Sequence, residues 1–220
     1  MFKIDTYIKD LTEALKTEFG ERFLFLGLQG SHLRGEATEK SDIDVVVILD
    51  NLTVKDLETY KSIINRLPFS DKACGFICGR SDMANWNPLE MCNFIHGTKD
   101  FFGKLSNFVP EYSKEDVKNF IKQSVGNIYH ELCHRYIHSD KKSNVETLPF
   151  TYKGVFFILQ SIYYLKDGVF YPTKAVIAEH LENEDKKILE TATELSENSD
   201  YDFEKAFSDL FEWCKRNLQD

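Results

Sequence analysis

Gln29-Gly30-Ser31-His32-Leu33-Arg34-Gly35, followed by Ser41-Asp42-Ile43-Asp44-Val45-Val46-Val47, is the stretch on which the reading of this chain turns. The apolar run Phe23 to Leu28 precedes it, and the Val- and Ile-rich run Asp44 to Leu49 closes it. Both runs read as buried strands. A Gly-Ser turn after a strand lets the backbone approach a phosphate closely, with amide and hydroxyl groups ready to donate to its oxygens. The Gly-Lys-Ser/Thr ending of a Walker loop is absent. Asp42 and Asp44 flank Ile43 at the start of the second strand, so strand alternation directs both carboxylates to one face. Two hard oxygen ligands beside a phosphate-binding turn suit Mg²⁺ bridging to a nucleoside triphosphate.

Outward from this stretch, Ile8, Leu11, Ala14, Leu15 and Phe19 recur at helical spacing over Tyr7 to Phe19, and Gly20 ends that helix. Val54 to Leu67 returns to helical spacing and stops at Pro68, after which Ala73 to Cys78 reads as a third strand. The first half is therefore helix, strand, turn, strand, helix, strand: a small mixed sheet with helices against it. Beyond Pro88 the pattern becomes helical, over Leu89 to Phe101, Lys114 to His138, Tyr152 to Lys166, Thr173 to Glu182, Glu184 to Leu195 and Asp202 to Leu218. Ser139 to Glu146, being polar throughout most of its length, reads as a loop. The expected class is α+β, with domains over 1–108 and 109–220, the second all-helical.

Acidic residues outnumber basic ones by 36 to 27, giving a net charge of -9. That balance argues against a nucleic-acid partner, since affinity for a phosphate backbone comes from clustered Lys and Arg. An acidic surface aids solubility and attracts cationic small molecules. Nothing near Met1 to Gly20 has the apolar core of a secretory signal, and no run is long enough to span a bilayer. The expectation is a cytoplasmic protein with no membrane association. Its five cysteines form no CxxC pair and suit free thiols in a reducing compartment.

The segment from Gly30 to Asp44 resembles the signature of the nucleotidyltransferase superfamily, the DNA polymerase beta-like fold that includes minimal nucleotidyltransferases and antibiotic adenylyltransferases. A second similarity runs over Ile158 to Leu181, through Tyr163-Tyr164, Asp167-Gly168, Thr173-Lys174 and Ala178. It looks like the helical segment of aminoglycoside 3''-type adenylyltransferases, and Ser81-Asp82 through Trp86 falls where that family has a similar acidic, Trp-containing stretch. The resemblance implies ATP as co-substrate and Mg²⁺ as cofactor, with transfer of AMP to a hydroxyl and release of pyrophosphate. It implies Asp42 and Asp44 as catalytic metal ligands, and Gly30, Ser31, Arg34, Ser41 and Lys174 as nucleotide-binding residues. Lys174 would contact the phosphates from the helical domain.

Two positions depart from the family. Its third carboxylate, a base or further metal ligand on the third strand, aligns with Cys74, and its phosphate-contacting Arg aligns with Ser161. The expected function is AMP transfer to a small hydroxylated acceptor, an aminoglycoside-like antibiotic being the first candidate. The alternatives are a protein-adenylylating antitoxin like the minimal nucleotidyltransferases, or a noncatalytic nucleotide-binding protein.

Other patterns carry simpler readings. His130-Glu131-Leu132-Cys133-His134 matches HExxH, with His138 on the same helical face, but a zinc site needs a third ligand and an open position. A polar stripe on a helix is the expectation there. Cys74 and Cys78 share a strand face as small packing residues. The aromatics Phe101-Phe102, Tyr152, Phe156-Phe157 and Tyr163-Tyr164 read as core.

Overall fold

The computed structural model describes residues 3–198 and 200–219. Contacts divide the chain into two compact units, Met1–Glu111 and Tyr112–Asp220.

The first unit opens with α1 (Ile4–Phe19), whose Tyr7, Ile8, Leu11, Leu15 and Phe19 are buried along one side. Gly20 ends it with φ 54°, its N–H returning to the carbonyl of Lys16. Then follow β1 (Phe23–Leu28), the single-turn α2 (Gly30–Arg34), β2 (Ile43–Leu49), α3 (Val54–Arg66) and β3 (Ala73–Gly79). Two short helices, α4 (Arg80–Ala84) and α5 (Pro88–His96), lead to β4 (Lys99–Phe102). The four strands lie in the order β3-β2-β1-β4. β1 runs antiparallel to both β2 and β4, while β2 and β3 run parallel, so the sheet is mixed.

Alternation along β2 divides the core. Ile43, Val45, Val47 and Leu49 pack with the buried side chains of α1 and with Ile63 of α3. Val46 and Ile48 join Phe25, Cys78, Met83 and Leu105 on the other side. Each fully buried Val, Ile or Leu contributes about 1.5–3 kcal/mol relative to exposure, so β2, buried on both faces, is rigidly held. The parallel register with β3 passes through Asp44↔Cys74, Val46↔Phe76 and Ile48↔Cys78. The even-numbered face of these strands thus carries the second core at one end and Asp44 with Cys74 at the other.

An ion pair ties α3 to the sheet. Arg22 donates from Nη1 and Nη2 to the two carboxylate oxygens of Asp56, at 2.9 and 2.8 Å. Asp56 also accepts from the Thr53 N–H and hydroxyl, completing the N-terminal cap of α3.

The second unit is helical: α6 (Lys114–His138), α7 (Lys141–Lys153), α8 (Val155–Asp167), α9 (Lys174–Ala178), α10 (Asn183–Glu197) and α11 (Phe203–Gln219). α6 packs on α8 and α11, burying Val117, Ile121, Val125, Ile128 and Leu132. Two buried aromatic tips inside this unit are satisfied: the Tyr152 hydroxyl donates to the Ala206 carbonyl at 2.7 Å, and Trp213 Nε1 donates to Asp185 Oδ1 at 2.7 Å.

The structure revises the sequence reading in four places. The Gly-Ser turn is the start of a helix, α2, of a single turn. The segment Leu89 to Phe101, expected as one helix, breaks at Gly97-Thr98, and its end pairs with β1 as an edge strand. Ser139 to Glu146, expected as a loop, lies largely in α7, where the Asp140 side chain accepts from the Ser143 N–H and starts the helix. Its composition misleads because one apolar line, Leu148 and Tyr152, anchors a helix whose first turns are mostly solvated. Thr173 to Glu182 forms only the short α9, capped by the Thr173 hydroxyl.

Candidate active site

At the end of β1 the chain turns through Gly30 with φ 69°. A β-carbon on Gly30 would lie 2.0 Å from Asp44 Oδ2, so only glycine lets the backbone pass over this carboxylate. The Gln29 N–H donates to the Asp44 carbonyl at 2.9 Å, locking the turn to the first residues of β2. Gln29 Nε2 in turn donates to Thr98 Oγ1 at 2.7 Å, which fastens the turn to the segment before β4. α2 ends at Gly35, φ 71°, whose N–H donates to the Ser31 carbonyl.

The loop between α2 and β2 is braced by its own side chains. Arg34 Nε donates to Glu36 Oε2 at 2.7 Å, with both side chains mostly buried. Ser41 Oγ accepts from the Thr38 N–H at 2.9 Å, and its own N–H donates to the Thr38 carbonyl at 3.1 Å. Both residues therefore shape the loop that delivers Asp42 and Asp44. Asp42 is exposed and Asp44 half-buried.

Cys74 stands beside Asp44 across the β2–β3 register. Partial burial pushes its thiol above the ordinary cysteine range, and the charges of Asp44 and Asp42 push it the same way against a backbone hydrogen bond at Gly75. The side chain is a protonated thiol at neutral pH. Gly75, next to it, has φ 107°, and a β-carbon there would lie 1.9 Å from the Val45 carbonyl oxygen, so the two strands approach tightly at the site.

Two residues outside the sequence-based set join this neighbourhood. Burial lowers the pKa of His32, against the negative charge of Asp44 and with the positive charge of Lys72. Lys72 Nζ donates to the Glu39 carbonyl, holding the ammonium against the loop.

The donor chemistry fits a magnesium ion that arrives with a nucleotide. Mg²⁺ is commonly held by one or two carboxylates, its remaining positions filled by substrate phosphate and water oxygens. Asp42 and Asp44 would be the carboxylates, and the absence of a side chain at Gly30 leaves Asp44 Oδ2 unobstructed there. Among the described residues no group of three or more His, Cys, Asp or Glu stands in position to hold a metal ion by itself.

Comparison with known proteins identifies the family and the fold. The nucleotidyltransferase domain family model matches residues 8–71, which run from α1 into the turn before β3. "Putative protein adenylyltransferase MJ0604" of Methanocaldococcus jannaschii is 35% identical over 72 residues, covering 30% of this chain and 72% of that protein. The chain belongs to the nucleotidyltransferase family. The crystal structure of spectinomycin adenyltransferase AAD(9) from Enterococcus faecialis, with ATP and spectinomycin, matches this nucleotidyltransferase with a TM-score of 0.64. That match covers 98% of this chain and 99% of the other at 14% identity, so the likeness is one of fold along the whole length.

The remaining residues singled out from the sequence lie in the helical unit. Lys174 is the first residue of α9 and is half-buried. Ser161 is fully buried in α8 and its hydroxyl donates to the Phe157 carbonyl at 3.0 Å. An internal helix face has replaced the position where the resemblance places a phosphate-contacting arginine. His130, His134 and His138 form an exposed stripe on α6, their ring centroids 6.0 and 4.8 Å apart in sequence order. Glu131 is turned to the Thr151 hydroxyl, 3.3 Å away. Outside both units' cores, Asp82 caps Gly79 at the end of β3, and Trp86 Nε1 donates to Glu90 at 2.9 Å. No helix among the described residues is long and apolar enough to cross a membrane.

Proposed function

We propose that this nucleotidyltransferase transfers AMP from ATP, with Mg²⁺, to a hydroxyl of a small molecule. The observation that carries the proposal is the seat of Asp44: its carboxylate lies directly under the Gly30 backbone, where a phosphate-binding turn and a metal-binding pair meet. Gly30 and Ser31 would offer the backbone N–H and hydroxyl to phosphate oxygens, and Asp42 with Asp44 would hold the ion. Mg²⁺ when bound neutralises charge on the phosphates and so lowers the barrier to transfer. Arg34 and Ser41 act through the loop they brace, by aiming the two aspartates. By the family resemblance, Lys174 at the start of α9 is a further nucleotide-binding candidate.

In the reaction the acceptor hydroxyl oxygen bonds to the α-phosphorus, its proton passes to solvent water, and the bond to the pyrophosphate leaving group breaks. The chain's contribution is chiefly positioning and electrostatics, which dominate phosphoryl-transfer catalysis. A small-molecule acceptor is favoured because the likeness to the antibiotic-modifying enzyme extends over both units. An aminoglycoside-like cationic molecule is the first to test, and the net charge of -9 suits it. Two other readings each have an observation behind them. The relative from Methanocaldococcus jannaschii is named a "Putative protein adenylyltransferase", which points to a protein acceptor, and the thiol at Cys74 points to nucleotide binding without turnover.

The test is pyrophosphate release from ATP and Mg²⁺ across a panel of aminoglycosides and aminocyclitols, with Mg-ATP binding followed by calorimetry. Asp42→Asn and Asp44→Asn should each weaken Mg-dependent binding by about 30-fold or more, as expected for loss of a charged metal ligand. Unchanged binding in both variants would remove the metal assignment. Binding without pyrophosphate release on any acceptor would favour the noncatalytic reading.

A further inference from the structure

The site has two carboxylates where an ion pair would need more, and the residue that completes it is a thiol. Cys74 is the register partner of Asp44 on the parallel neighbour strand, and it lies near enough to both aspartates to feel their charges. Lys72, at the end of the short turn that precedes β3, places a positive charge close enough to His32 to act on it. Sites that use two ions place them about 3.5–4 Å apart, one toward each of the attacking and leaving oxygens. Two adjacent dications demand anionic oxygen ligands on both, because magnesium binds oxygen and binds sulfur poorly.

Asp42 and Asp44 meet that demand for one ion whose other positions are taken by phosphate and water. For a second ion the register partner of Asp44 offers a sulfur in place of an oxygen, and magnesium binds sulfur poorly. We infer that position 74 sets the number of divalent ions at this site: the wild-type nucleotide complex holds one, and a carboxylate at position 74 admits a second. The inference rests on the proposed nucleotidyl-transfer reading and deepens it. With no second ion to acidify the acceptor hydroxyl, nucleotide binding is retained while transfer depends on how readily the acceptor itself loses its proton. Acceptors whose hydroxyl lies beside an amine of their own are favoured, since the amine takes the proton.

The experiment counts ions. The full chain is dialysed to equilibrium against Mn²⁺, as a paramagnetic stand-in for Mg²⁺, and a nonhydrolysable α,β-methylene analogue of ATP, and bound Mn²⁺ is measured by electron paramagnetic resonance. The wild type should bind one ion per bound analogue, Cys74→Ser one, and Cys74→Asp two. Two ions on the wild type overturn the inference, whatever the variants do. One ion on a Cys74→Asp protein with wild-type circular dichroism and melting temperature overturns it as well. Absence of both analogue and ion from the wild type overturns the nucleotidyl-transfer reading and this inference with it, so the two failures are told apart by whether analogue is bound.

Discussion

The sheet unit and the helical unit place their chemistry differently. In the first, Gly30, Asp44 and Cys74 meet because backbone hydrogen bonds and strand register put them there. In the second, the positions of interest are a buried serine that bonds its own helix and a lysine at the start of a five-residue helix. A site defined by register tolerates almost no change in backbone, whereas a helical bundle satisfies its packing with many side-chain sets and leaves its surface free to vary. The family signature is accordingly strong in the first unit, where the family model matches.

The sharpest way to break this contrast is Gly30→Ala. An alanine must adopt φ 69° and place its β-carbon against Asp44 Oδ2, so either the turn or the carboxylate moves. The left-handed conformation alone costs about 1–2 kcal/mol. Mg-ATP affinity should fall by about 30-fold or more, with the unfolding midpoint in urea lowered by a corresponding 1–2 kcal/mol of stability. A variant that binds Mg-ATP as the wild type does would show that the Gly30–Asp44 contact does not define the site. The matching change in the helical unit, Gly168→Ala, also at positive φ but with open space around it, should cost stability without touching affinity.

These differences explain how much could be read in advance. Asp42, Asp44 and the Gly30-Ser31 pair lie within fifteen residues and meet through one strand pairing, so local pattern is enough to single them out as candidates. Cys74 was legible as a departure, and its position against Asp44 follows from one parallel pairing. Lys72 and His32 escaped because their importance depends on a loop folding back: the Glu39 carbonyl has to meet the Lys72 ammonium. α7 escaped for a different reason. Its first turns are polar, and the cap at Asp140 together with burial of Leu148 and Tyr152 outweighs the loop-like composition of 139–146. The split of Leu89 to Phe101 into a helix and an edge strand was hidden because Phe94, Ile95, Phe101 and Phe102 are apolar in either state.

A second prediction separates stability from site within the sheet unit. The Asp56 carboxyl is held well below the usual carboxylate range, chiefly by its hydrogen bonds from Arg22 and, after that, by those from Thr53. Asp56→Ala removes the bidentate pair and the helix cap and should cost about 2 kcal/mol by equilibrium unfolding at pH 7. Mg-ATP affinity should stay within twofold, because Asp56 serves α3 and lies apart from the Gly30–Asp44 contact. The pH dependence follows from the sign of the shift. A lowered folded-state pKa means the stabilisation is complete above the unfolded value of 3.8 and disappears as pH falls through the folded one. Melting curves between pH 7 and pH 2.5 should therefore show a shallower acid limb for Asp56→Ala than for the wild type. Parallel limbs would mean that this carboxylate does not drive the acid transition.

The smallest expected effect bears most directly on the contrast between the units. Lys72 belongs to the sheet unit and is tethered to the loop that carries the aspartates, while Lys174 begins α9 in the helical unit. A half-buried lysine facing a triphosphate contributes on the order of 0.5–1 kcal/mol in physiological salt, a change of about 2- to 5-fold in affinity. Lys174→Ala should weaken Mg-ATP binding by that factor, and the loss should shrink as salt is raised from 50 to 500 mM because screened charges contribute less. Lys72→Ala should give a loss of similar size. If both variants weaken binding and the double variant loses the product of the two factors, each unit supplies its own charge to the nucleotide. If only Lys72→Ala has an effect, nucleotide recognition resides wholly in the sheet unit, and the helical unit is left with the acceptor alone.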